Sequence, residues 1–369
     1  MENEIPKILI TDDVHPSLLT GFKTAGFDCT YIPKTSDEEV RQIIVDYTGL
    51  IVNSKINVDH AMFAAAPKLK FVGRLGSGME IVDLKAAKAF GVVVLSSPEG
   101  NRNAVAEHAL GMLLSLSNRL IVSDLEVKNF DWFREKNRGF ELRGRTIGII
   151  GFGHTGSSFA AKLLGLGVQI LVYDKYLPKG FLKKFPFPKA SKLAYPRFDT
   201  EGVESRESKT LGQHFDHLNY EFSTIKAVDL VTIQRESDII SFHLPLTQET
   251  KHFADKTFFN ACAKPVIILN TSRGNVVKTE DLLEALQNGR AIAAGLDVFE
   301  NEKIIASFKN GKNALNTEGG DMKIILDYTQ LFSLPNVIVS PHIAGWTHES
   351  KKRMTEVLLH KIFKVLAVP

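Results

Sequence analysis

Short apolar runs rich in β-branched residues alternate with stretches whose apolar positions recur every three or four residues, and this rhythm is played twice along the chain. In the first set, residues 7–11, 27–32, 49–53, 71–75 and 92–96 predict strands, with helical patterns at 37–47 and 81–90 between them. A long apolar-periodic stretch at 104–117, continuing to 128, leads into a second set of strand-like runs at 146–150, 169–173, 238–243, 266–271, 291–298 and 337–340. An amphipathic helix, basic near its start, is predicted over 347–366. Strand–helix alternation of this kind predicts an α/β protein with parallel sheets, right-handed crossovers and ligands bound at the carboxyl ends of the strands.

Two segments interrupt the rhythm. Residues 177–221 are rich in Lys, Phe, Pro and Ser, follow neither period, and stand where only a short loop and the next helix are needed. They read as an insertion, either a surface excursion or a cover for a ligand bound nearby. Residues 303–334 form a second interruption, between an acidic residue and a histidine.

Composition narrows the function without naming it. The chain of 369 residues, 44% of them hydrophobic, has material for two domains with cores of their own. Its 45 Lys and Arg against 42 Asp and Glu leave a net charge of +3, with no long basic run, so neither nucleic acid nor a membrane surface is an expected partner. A small molecule and a second copy of the chain are expected instead. The two cysteines, Cys29 and Cys262, lie far apart without metal-ligand spacing, so no metal site is expected, and a reducing cytoplasm fits. The first residues lack the basic and then apolar pattern of a secretory signal, and no run approaches a membrane span.

The densest chemistry lies in Gly151-Phe152-Gly153-His154-Thr155-Gly156, which follows one apolar run and is answered by Asp174 at the end of the next. Gly151 allows the tight turn, Gly153 lets the backbone approach a pyrophosphate, and Gly156 lets helix and strand pack closely. The N–H groups at the helix start then face the phosphates. Asp174 would accept hydrogen bonds from a ribose diol and repel a 2′-phosphate, so NAD is favoured over NADP, with Lys175 partly offsetting the repulsion.

Three ionisable residues fall where strands end: Arg273 in Asn270-Thr271-Ser272-Arg273-Gly274, Glu302 shortly after Asp297, and His342 in Pro341-His342-Ile343-Ala344-Gly345. Removing hydride from a carbinol carbon requires a base for the hydroxyl proton, a cation for the carboxylate, and a carboxylate to hold the base. Histidine suits the first role, arginine the second and glutamate the third. Glu300, two residues from Glu302, can take its place if the loop register shifts.

These motifs, together with His243-Leu244-Pro245-Leu246-Thr247 and Gly295–Phe299, resemble the D-isomer-specific 2-hydroxyacid dehydrogenases in their order and over nearly the whole chain apart from the two insertions. The likeness is greatest to phosphoglycerate-dehydrogenase-like members without a regulatory domain. It implies two Rossmann-like doubly wound domains, a flavodoxin-like substrate domain at 1–102 and 347–369 and an NAD-binding domain at 103–346. It implies Arg273, Glu302 and His342 as the catalytic residues. It places NAD on Gly151, Gly153, the His154 and Thr155 amides, Gly156, Asp174, His243, Thr271, Ser272, Asp297 and Gly345. Substrate is implied on Asn53, Ser54, Lys55, the Ser77 and Gly78 backbone, and Asn101. Of the D-2-hydroxy acids, 3-phosphoglycerate leads, with an unphosphorylated 2-oxo acid close behind, because Asn53 and Lys55 stand where phosphate-binding members often carry arginines. An arm at 104–143, with Trp132 and Phe133, resembles the family's dimer contact. A non-enzymatic NAD sensor and a formate-dehydrogenase-like enzyme remain open as alternatives. The intact Arg–Glu–His set weighs against the first, and Glu302 in place of an amide against the second.

Overall fold

A computed structural model describes residues 5–177, 224–307 and 319–366. Among them two parallel sheets form. The first has five strands in the order β2-β1-β3-β4-β5, from Lys7–Ile10 (β1), Asp28–Tyr31 (β2), Gly49–Val52 (β3), Phe71–Arg74 (β4) and Val93–Ser96 (β5). The second has seven, β12-β11-β10-β9-β6-β7-β8, from Thr146–Ile150 (β6), Gln169–Tyr173 (β7), Thr224–Ala227 (β8), Ile239–Phe242 (β9), Val266–Asn270 (β10), Ala291–Leu296 (β11) and Val337–Val339 (β12).

The inner strands β3, β6, β9 and β10 are buried at every position, which is why they read as unbroken apolar runs and not as alternation. The strand order reverses between β1 and β3 in the first sheet and between β6 and β9 in the second. Loops diverge at such a switch point and leave a crevice outside the carboxyl ends of the strands.

The helix Pro98–Ser117 lies against both the helix His154–Leu163 and the C-terminal helix His348–Leu366. The C-terminal helix buries Leu358, Leu359 and Ile362 with Leu18, Phe22 and Phe71, so the end of the chain packs on the first sheet.

Several expectations are revised. The periodic stretch 104–128 is not one helix: Arg119 takes φ 52°, and Leu120–Lys128 starts anew beyond it. Strand β8 and the helix Ser17–Thr24 were not anticipated. The segment 303–334, read as an interruption, is helical in its described parts, at Glu302–Ser307 and Gly319–Ser333. The second of these buries Ile325, Tyr328 and Leu331 and serves as the crossover from β11 to β12. Most of the 177–221 insertion lies outside the described residues.

Candidate active site

A cleft of about 960 Å³ runs between the two sheets, and the loops at the carboxyl ends of their strands line it. On the second sheet the glycine turn leaves β6 with Gly151 at φ 91°, where a Cβ would stand 2.5 Å from the His243 carbonyl oxygen. A Cβ on Gly156 would stand 2.1 Å from the Gly151 oxygen, so this position needs glycine for the helix to close on the turn. Gly153 has nothing within 4 Å of its Cβ position and opens into the cleft. Asp174, at the end of β7, accepts the amides of Phe152 at 2.8 Å and Tyr176 at 2.9 Å, which fixes its carboxylate beside the turn. The Lys175 ammonium is drawn off to Glu249.

His243 sits beneath the turn, its ring nitrogens within reach of Ser241 Oγ at 2.9 Å and Thr155 Oγ1 at 3.3 Å. Burial pushes its pKa down to about 3, so the ring is neutral where it borders the cleft. The buried Thr271 Oγ1 has no hydrogen-bond partner, although buried hydroxyls are normally satisfied. Open space at Gly153, an anchored Asp174 beside the turn and an orphaned hydroxyl further along the cleft fit a dinucleotide laid across it.

The loop after β10 is shaped by Asn270, whose Oδ1 accepts the Ser272 amide at 3.1 Å and the Ser272 hydroxyl at 2.8 Å. This turn presents Arg273, which donates from Nε to Glu80 Oε1 and from Nη1 to the Ser272 carbonyl, both at 2.7 Å. His342, beyond β12, has φ 55° and donates its amide to the Asp297 carbonyl at 2.7 Å. Its Nδ1 is 2.9 Å from Glu302 Oε2, which leaves Nε2 for the cleft.

Burial raises the Glu302 carboxyl, but the hydrogen bond and charge of His342, the Phe299 amide and Arg273 outweigh it and hold the group below the usual carboxylate range. Glu300 is engaged elsewhere, by His252 Nε2 and the Thr279 amide, each at 2.6 Å. The register is therefore the one that pairs His342 with Glu302. Asp297, 1% exposed, accepts the amides of Ile343 and Ala344 at 2.8 Å and the Ser340 hydroxyl at 2.5 Å, so its carboxylate braces the histidine loop. Gly345 follows in the cleft wall.

The first sheet supplies the opposite wall. Asn53, Ser77, Gly78 and Asn101 line the cleft, and Asn101 Oδ1 is buried without a partner. Lys55 does not reach it: its ammonium donates to the Pro33 carbonyl at 2.8 Å, and neither it nor the exposed Ser54 is among the lining residues. Both residues lie in the bend that follows β3, beyond Asn53.

Among the lining residues not anticipated in the sequence, three bear on the chemistry of the cleft. Arg74 ends β4 and donates from Nε to the Asn53 carbonyl at 3.1 Å, so the strand-end criterion that singled out Arg273 applies to it equally. Glu80 and the exposed Trp346 carried no such signal. Among the described residues no group of His, Cys, Asp or Glu has a metal-holding arrangement.

The family model "D-isomer specific 2-hydroxyacid dehydrogenase, NAD binding domain" matches residues 110–193 and 210–344. The chain is 30% identical over 331 residues to a hydroxypyruvate reductase of Thermotoga maritima, covering 90% of this chain and 89% of that protein. It is 28% identical over 356 residues to a D-3-phosphoglycerate dehydrogenase of Archaeoglobus fulgidus, covering 96% of this chain and 56% of that protein, so it spans little more than half of that relative. Among solved structures it is similar to a D-lactate dehydrogenase of Aquifex aeolicus complexed with NAD and lactic acid, with a TM-score of 0.72, 25% identity, and coverage of 98% of this chain and 95% of that one.

Proposed function

The chain belongs to the D-isomer-specific 2-hydroxyacid dehydrogenases, and on that premise we propose that it interconverts a small D-2-hydroxy acid and the corresponding 2-oxo acid with NAD. The observation that carries this reading is His342 held by Glu302 at 2.9 Å on the same cleft as Arg273. When bound, NAD supplies or accepts the hydride at C2. His342 Nε2 gives a proton to the carbonyl oxygen in reduction and takes it from the hydroxyl in oxidation, while Glu302 stabilises the imidazolium. Arg273, with the Ser77 and Gly78 backbone, receives the carboxylate, and closure of the cleft excludes water. The glycine turn, Asp174 and the Thr271–Ser272 loop hold the cofactor.

We assign residues 1–102 and 347–369 to a substrate domain and 103–346 to an NAD-binding domain, a division supported by the C-terminal helix packing on the first sheet. A homodimer in the cytoplasm completes the reading. The exposed apolar side chains of the 104–143 arm support the dimer, and the two cysteines, both with thiols raised to about 11 by burial, suit a reducing compartment.

For substrate, 3-phosphoglycerate leads because Arg74 offers a second cleft cation to a distal phosphate. A plain 2-oxo acid is the second reading, favoured by Lys55 being engaged at Pro33. The test is a screen of 3-phosphohydroxypyruvate, hydroxypyruvate, glyoxylate and pyruvate with NADH, following cofactor absorbance. NADH binding without turnover of any 2-oxo acid would replace the enzyme with an NAD sensor.

A further inference from the structure

Glu80 lies on the loop after β4, across the cleft from Arg273 and 193 positions away in sequence. Its Oε1 takes the Arg273 Nε hydrogen at 2.7 Å, so the pair joins loops that leave different sheets. Arg273 Nη1 is committed to the Ser272 carbonyl. Nη2 turns toward the glycine loop: a Cβ built on Gly78 would stand 2.1 Å from Nη2 and 2.1 Å from Glu80 Oε2. The guanidinium is thus gripped at Nε and at one terminal nitrogen, and its remaining nitrogen is offered at Gly78.

We propose that Glu80 is a positioning residue for the reaction, fixing the Arg273 fork across the cleft so that the substrate carboxylate meets a cation already oriented beside the Ser77–Gly78 backbone. This rests on the reading of Arg273 as the receiver of that carboxylate.

Two physical arguments support it. An arginine side chain that must be ordered at the moment of binding loses rotamer freedom against affinity, whereas one ordered beforehand does not. Anchoring at Nε orients the planar fork without occupying Nη2. The second argument is charge. Arg74 and Arg273 share this pocket, and the hold of Arg74 on its proton is weakened by burial and then by the charge of Arg273, with Glu80 acting in the opposite sense. Burial raises the Glu80 carboxyl, but the hydrogen bond and charge of Arg273 outweigh it and keep the group ionised, with help from its own backbone amide and Arg74. Glu80 is thus a counter-charge common to both guanidinium groups, with Asp12 a further one for Arg74.

The experiment compares wild type, Glu80→Gln and Glu80→Ala. KM and kcat are measured on the 2-oxo acids of the screen, NADH affinity by fluorescence, and the rate of Arg273 modification by phenylglyoxal by peptide mass spectrometry. Glu80→Ala is expected to raise KM on the order of tenfold with a smaller loss in kcat, to leave the NADH Kd unchanged, and to speed Arg273 modification several-fold. Glu80→Gln keeps an acceptor for Nε without the charge, and should fall between the two. An unchanged KM and modification rate in an active enzyme overturns the proposal. So does a lowered KM, because Glu80 would then be a competitor for Arg273. If the wild type reduces no 2-oxo acid while modification still accelerates in Glu80→Ala, the grip on Arg273 stands and the proposed reaction falls.

Discussion

A side-chain-bearing residue in the left-handed region, as His342 is at φ 55°, costs about 1–2 kcal/mol, and the cost is met by what surrounds it. Its own amide goes to the Asp297 carbonyl, and the next two amides go to the Asp297 carboxylate. Asp297 thus sets the direction of the histidine before any ligand arrives. The Glu302 carboxyl is held below its usual range by His342, so Glu302→Gln removes a charge coupled to the base, and the pH profile of the reduction should change. Glu300→Gln should leave that profile in place, because Glu300 holds His252 and the Thr279 amide instead. If Glu300→Gln shifted the profile and Glu302→Gln did not, the roles given to the two carboxylates would be exchanged. At the other end of the cleft, Asp174→Ala should narrow the preference for NAD over NADP by about 1–3 kcal/mol, the scale of a charge-assisted hydrogen bond. Equal wild-type turnover with both cofactors would remove the basis for that expectation. His342, Arg273 and Asp174 were legible because each is a polar group just past an apolar strand. Glu80 was not, since its meaning depends on a partner brought near only by folding two sheets together.

At the scale of elements, the inner strands were plain in the sequence and their last residues were misjudged in an instructive way. The runs ending at Asn53, Leu75, His243 and Thr271 each overran the strand by one residue, and all four of those residues line the cleft. The chain passes out of the sheet there, so the pairing that defines a strand ends one residue before the extended run read from the sequence. Strand β8 was missed because its sequence, TIKA, is short and carries a lysine, as edge strands do. The helix Gly319–Ser333 was hidden for another reason. It buries only part of one face, and its setting between an acid-bearing loop and a histidine-bearing loop masked it as an interruption. Leu331 on that face is 0% exposed and joins the core around Tyr328, Leu286 and Leu296. Leu331→Ala should therefore cost about 2–5 kcal/mol in denaturant unfolding, the usual range for a core leucine. A loss below ~1 kcal/mol would mean that this helix is peripheral to the second sheet.

At the scale of the whole molecule, an exposed apolar stretch demands an explanation. The helix Leu120–Lys128 has no buried residue, and it exposes Leu120, Ile121, Leu125 and Val127 at 46–57%, while Phe130 and Trp132 just beyond are exposed at 98% and 74%. Single exposed apolar residues are ordinary, but this many in one stretch support the homodimer proposed above. Aromatic and aliphatic residues concentrated in one patch are also what the centre of a subunit interface is made of. A self-complementary contact through this arm would bury these side chains between two copies. Wild type should therefore sediment as two chains, and the double variant Leu125→Asp, Trp132→Asp as one, with the thermal midpoint lowered at dilute concentration. A wild type that sediments as a single chain across the accessible concentration range would dispose of the homodimer. A variant that stays dimeric would move the interface away from this arm.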